Sequence, residues 1–200
     1  MLVYAMRAMP EYFATPDPRQ KTFIFLSFFS LSVLFPLLGI ALMRMQGLVK
    51  SVGLKTKKER IGPMILIAIF YLWLYVNIRN NPLVPPVISF FVLGSVMALF
   101  MGLFINSFSK ISLHCAGAGG FVTGILFLYS RFVYQTFDIL LPFSSWVFRI
   151  SNDLVLIISL VIAGLIGTSR LMLGAHKNDE IYGGYLVGII SQMIGIELYF

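Results

Sequence analysis

The chain has 200 residues, 58% hydrophobic and 12% charged, with 15 Lys or Arg against 8 Asp or Glu for a net charge of +7. That much apolar surface exceeds what a small soluble core could hide, so lipid must cover a large part of it. The basic residues lie in short loops between apolar runs, which points to anionic lipid headgroups rather than nucleic acid as the partner. A single cysteine, Cys115, excludes an intrachain disulfide and a cysteine zinc cluster.

Residues 1–22 contain Glu11, Asp17 and the prolines Pro10, Pro16 and Pro18, and lack the uninterrupted apolar core of a signal peptide. They are expected to form a membrane-peripheral segment ahead of a membrane domain over 23–200. A helix needs about 20 mostly apolar residues to cross roughly 30 Å of hydrocarbon with its backbone bonds satisfied internally.

Six segments qualify. The first covers 23–43 and the second 62–78, opened by Pro63 as a first-turn proline. The third, 86–108, follows the turn Asn80-Asn81-Pro82. The fourth, 112–129, carries Gly117, Gly119, Gly120 and Gly124, which let neighbouring helices approach closely, and Cys115 as a small structural residue. Residues 130–151, with Phe143, Trp146 and Arg149, read as an interfacial connector. The fifth and sixth spans cover 154–173 and 182–199. The expected fold is all-α, a polytopic membrane helical bundle of about six transmembrane spans, without a sequence repeat or soluble domain.

Counting crossings puts the ends of the first, third and fifth spans on one face and both termini on the other. Both histidines, His114 and His176, fall at that shared face with Lys55, Lys57, Lys58, Arg60, Lys110, Arg170 and Lys177. Ionisable groups beside apolar spans usually face a bundle interior or a wet cavity. The blander reading, strongest for Lys57 and Lys58, is a solvated loop that satisfies the positive-inside rule. A histidine at a span end is also often a plain hydrogen-bonding group.

In the segment from Ser169 to Glu180, His176 and Glu180 are four apart, so a helix there would stack them on one face. A carboxylate bonded to one ring nitrogen fixes the tautomer and leaves the other nitrogen free to attack an electrophile. Arg170 offers a planar fork of donors suited to phosphate oxygens.

The pattern Ser169-Arg170-x5-His176-x3-Glu180 resembles the third motif, S-R-x5-H-x3-D, of the type-2 phosphatidic acid phosphatase superfamily, with Glu in place of Asp. Gly184 and Gly188 are similar to the glycine-spaced helix that follows this motif. The segment Ile111-Ser112-Leu113-His114 resembles the second motif, P-S-G-H, but lacks its Pro and Gly. The first motif, K-x6-R-P, is visible in Lys55 and Pro63, with Gly62 at the arginine position and Arg60 displaced by two. Two spans separate that segment from His114, whereas the family typically holds its first two motifs in one loop.

The resemblance implies a metal-independent membrane lipid-phosphate phosphatase without a cofactor. His176 would attack phosphorus, oriented by Glu180, and His114 would protonate the departing lipid alkoxide. Arg170, Ser112, Ser169, Lys110, Arg60 and Lys55 would bind the phosphate. Few carboxylates lie near the motifs, in keeping with a site that needs no hard cation. Candidate substrates are phosphatidic acid, phosphatidylglycerophosphate, polyprenyl pyrophosphate and the phosphates of lipid A. A non-catalytic lipid-phosphate or anion binder, a transporter, and a lipid phosphotransferase share the same basic pocket.

Nine Lys or Arg fall on the motif face and six on the other, which by the positive-inside rule would place the motif face in the cytoplasm. The resemblance implies the opposite, a site facing the periplasm from the bacterial inner membrane. Cations recruited for phosphate distort the charge count, so the family orientation is the expectation.

Overall fold

A computed structural model of the protein describes residues 18–49, 56–84, 86–131, 136–140 and 147–199. Helix α1 is continuous through three parts, Pro18–Phe29, a π-helical Ser30–Leu34 and Phe35–Met45. It is followed by α2 (Lys57–Ile78), α3 (Pro86–Asn106), α4 (Leu113–Arg131), strands β1 (Thr136–Leu140) and β2 (Val147–Ser151), α5 (Asn152–Met172) and α6 (Asn178–Glu197). The expected N-terminal segment lies outside the described residues up to residue 17, and its remainder is the start of α1.

Five of these helices, α1 to α5, are long and apolar enough to cross a membrane. Large apolar side chains stand outward on them, including Trp73, Leu165 and Phe104, where only lipid can cover them. The chain is an integral membrane helical bundle.

The sixth predicted span is α6, whose 20 residues give about 30 Å at ~1.5 Å per residue. It is less apolar than the others because it is the central helix, packed along both α3 and α4. Its Ser191 and Gln192 are buried at 0% and 2% exposure and face protein instead of lipid. Small residues permit this. A side chain at Gly188 would run into Ala116 O, one at Gly119 would stand 2.6 Å from Tyr185 O, and one at Gly195 2.6 Å from Gly94 N. Such backbone-to-backbone contact replaces the hydrophobic effect as the force between helices in lipid.

Two local expectations are corrected. Helix α2 begins at Lys57, capped by Thr56, whose Oγ1 accepts from the Glu59 amide at 3.3 Å, so Pro63 stands inside the helix and not in its first turn. The proline that reshapes a helix is Pro36. Its ring denies Ser32 O a partner, and the preceding π-turn re-pairs the chain with Phe35 N–H donating to Ser30 O. The connector after α4 contains an antiparallel hairpin, with Thr136 opposite Ser151 and Leu140 opposite Val147. Phe143 and Trp146 lie outside the described residues. Ser151 then caps α5 by accepting from the Leu154 amide at 3.3 Å.

Candidate active site

The crossing parity is borne out by bonds between distant segments at one end of the bundle. Asn106 Nδ2 at the end of α3 donates to Lys57 O at the start of α2 (3.0 Å), and Lys57 Nζ donates to Phe108 O (2.6 Å). Arg60, buried to 8% exposure, donates from NH1 to Ile111 O at 3.0 Å. Lys110 Nζ reaches Ala175 O at 2.9 Å, and the Ser112 amide donates to Glu180 O at 3.0 Å. The loops before α2, α4 and α6 are thereby sewn together, with Lys57, Arg60 and Lys110 each donating to a backbone carbonyl.

The His176 loop has its own stop signal. Helix α5 ends in a Schellman motif, with Ala175 N–H bonded to Arg170 O and Gly174 N–H to Leu171 O. Gly174 takes φ +60°, the left-handed conformation that costs other residues about 1–2 kcal/mol. This turn delivers His176 two residues later, just ahead of α6.

His176 Nδ1 lies 2.7 Å from Glu180 Oε2, and the same oxygen accepts the Lys177 amide at 3.3 Å. The pair is held differently from the expected stacking on a helix. His176 precedes the helix, and Glu180, the third residue of α6, reaches back to it in the manner of an N-terminal cap. A carboxylate can only accept, so Nδ1 carries the proton and Nε2 keeps its lone pair. The His176 side chain is 5% exposed. Its pKa is held below the ordinary imidazole value first by burial, then by the charges of Lys110 and Arg60, while the hydrogen bond and charge of Glu180 act in the opposite direction. The net shift favours the neutral form of the ring.

His114 is the second residue of α4 and exposed, and Arg170, His176 and Arg60 are the charges that act on it most strongly. Arg170 stands three residues beyond Gly167 on α5. Tyr185 of α6 fits into the notch at Gly167 and donates its hydroxyl to Ala163 O at 2.5 Å, which fixes α5 against the centre of the bundle. Arg170 Nε is buried and has no acceptor among the described residues.

The remaining predicted residues divide. Ser169 Oγ bonds Ile166 O at 2.8 Å, and Ser112 is wholly buried with its Oγ accepting the Cys115 amide at 3.4 Å, so both hydroxyls serve the backbone. Lys58 is exposed, as the solvated-loop reading expects, whereas Lys57 is tied to α3. Lys55 lies outside the described residues. Cys115 is buried and free.

Among the described residues at this end, Arg44, Lys57, Lys58, Arg60, Lys110, Arg170 and Lys177 oppose only Glu59, Asp179 and Glu180. No three His, Cys, Asp or Glu side chains among them come together as metal ligands. The excess of donors and positive charge suits an anion, and its one oriented imidazole suits an attack on that anion's central atom.

Sequence reading missed the Gly174 turn and the backbone roles of Ser112 and Ser169. The left-handed glycine had a signal, since a Gly followed within two residues by a new polar segment marks a helix end. No family model, no curated protein and no solved structure matches this chain.

Proposed function

We propose that the protein is a membrane lipid-phosphate phosphatase of the type-2 phosphatidic acid phosphatase kind, working through a phosphohistidine. The observation that carries this reading is the 2.7 Å His176–Glu180 pair set among Arg60, Lys110 and Arg170. A merely anion-binding pocket has no need of a buried imidazole whose tautomer is fixed by a carboxylate.

In the proposed reaction His176 Nε2 attacks phosphorus in line and a P–N bond forms as the P–O bond to the lipid breaks. Arg170, with its unsatisfied Nε, and the flanking cations hold the equatorial oxygens as charge spreads over them. His114, standing open to the membrane surface, gives its proton to the leaving alkoxide. It then takes a proton from the water that cleaves the P–N bond, releasing inorganic phosphate and restoring both imidazoles.

The substrate is a lipid presenting a phosphomonoester or pyrophosphate at headgroup level. On the family orientation the site faces the periplasm from a bacterial inner membrane. A non-catalytic lipid-phosphate binder is the second reading, favoured by the altered first and second motifs around Arg60 and His114.

Phosphate release by the purified protein from phosphatidic acid, phosphatidylglycerophosphate, polyprenyl pyrophosphate and lipid A decides between them. The phosphatase reading expects release from at least one, inhibition by vanadate and loss in His176→Ala. Release from none, or a variant as active as wild type, overturns it in favour of the binder.

A further inference from the structure

Beneath the site a cavity of about 380 Å³ runs down the bundle between α1, α2, α3, α4 and α6. Its walls continue the two helices that carry the site. Gly117 and Phe121 lie three and seven residues beyond His114, on the same face of α4, and Gly188 and Gln192 continue the stripe of Glu180 and Gly184 on α6. The cavity starts at Leu113, beside His114, and its wall on α3 runs from Leu99 to Ile88, about 17 Å at ~1.5 Å per residue. Its lining thus follows the helices for several turns.

Its lining is almost wholly apolar. Of its three polar side chains two are engaged elsewhere, with Gln192 Nε2 donating to Phe90 O at 3.3 Å and Ser95 Oγ to Phe91 O at 2.9 Å, and the third is the Tyr71 phenol. Such a wall suits neither an ion nor a file of water. Gly117 on this wall is exposed, and a side chain there would meet nothing within 4 Å. Since an apolar cavity of about 150 Å³ admits benzene, this one holds on the order of fifteen carbons.

We propose that the cavity is a chain slot that takes one hydrocarbon chain of the lipid whose phosphate stands at His176, admitted from the bilayer past Gly117. This rests on the phosphatase reading for the headgroup, while the slot itself rests on shape and apolar lining. Exchange of a chain between bilayer and slot transfers it from one apolar medium to another, so the slot selects by length and bulk and not by hydrophobicity.

The test uses the full chain in detergent with hexadecyl phosphate carrying a terminal diazirine, beside the matching hexadecanol probe. Photolabelling is expected on cavity residues of α3 and α4, falling at least tenfold in Gly117→Phe and in Ala98→Phe, a second wall variant should the first not fold. Phosphate release from butyl phosphate, which has no chain to fill the slot, is expected to stay within twofold of wild type in both. Labelling confined to outward-facing residues, or unchanged in the folded variants, overturns the slot even where hydrolysis proceeds. Cavity labelling by both probes with no phosphate released from either alkyl phosphate would keep the slot and sink the phosphatase reading.

Discussion

Glu180 Oε2 stands 2.7 Å from His176 Nδ1 while the backbone carbonyl of the same glutamate accepts the Ser112 amide at 3.0 Å. One residue thus orients the proposed nucleophile and ties α6 to the segment that presents His114.

Glu180→Gln keeps an acceptor and the backbone bond but removes the charge. On the phosphatase reading kcat falls by roughly 10²–10⁴, the range seen when a triad loses its orienting carboxylate or a proton-transfer partner is impaired. Glu180 raises the His176 pKa, so its loss moves the acid limb of kcat/KM to lower pH. A limb that stays put would show that another group governs it.

Lys110→Met has the opposite sign. The Lys110 charge lowers the His176 pKa, and its removal lets the ring take a proton more readily. The acid limb then moves to higher pH, and activity at neutral pH drops. The two variants measured side by side by pH profile give shifts in opposite directions if His176 must be neutral to react.

Arg170→Lys preserves charge but not the planar fork. The expected loss in kcat/KM is about 10², the scale of removing one aligned donor to developing charge, with little change in thermal stability because Nε has no partner to lose among the described residues. Equal activity of the two would remove Arg170 from the phosphate site.

Tyr185→Phe deletes the bond to Ala163 O that sets α5 against the bundle. Hydrogen bonds between membrane helices contribute about 0.6 kcal/mol, at most ~1.7, so thermal unfolding in detergent shifts only slightly. Positioning of Arg170 suffers more, and KM for the lipid phosphate is expected to rise several-fold.

Gly188→Val forces a side chain into Ala116 O, a backbone atom that cannot step aside. Overpacking of this kind costs about 1–3 kcal/mol or more, and size-exclusion profiles in detergent should show aggregation or loss of the folded species. Gly117→Val, next to open space, is the matched control that keeps its profile.

The spans were legible because lipid imposes a simple demand on length and apolarity, and α1 to α5 meet it. His176 and Glu180 were legible because a spacing of four brings two side chains together in a cap as well as on a helix. What escaped was set by tertiary contact. Pro63 reads as a helix start until Thr56 is found capping seven residues earlier, and Ser112 reads as a ligand until the bundle closes over it. The hairpin was hidden because strands of five residues carry little periodicity within an aromatic connector.

The polarity of α6 has a bearing on how the molecule comes into being. The bilayer alone holds α1 to α5 on their own apolarity, but α6 gains its place from the glycine faces of α3 and α4. Its first turn carries Glu180, which bonds His176 through its carboxylate and Ser112 through its backbone carbonyl. On the phosphatase reading, the proposed nucleophile is oriented only where α6 is seated against α3 and α4, and a bundle lacking that contact would be inserted but inactive.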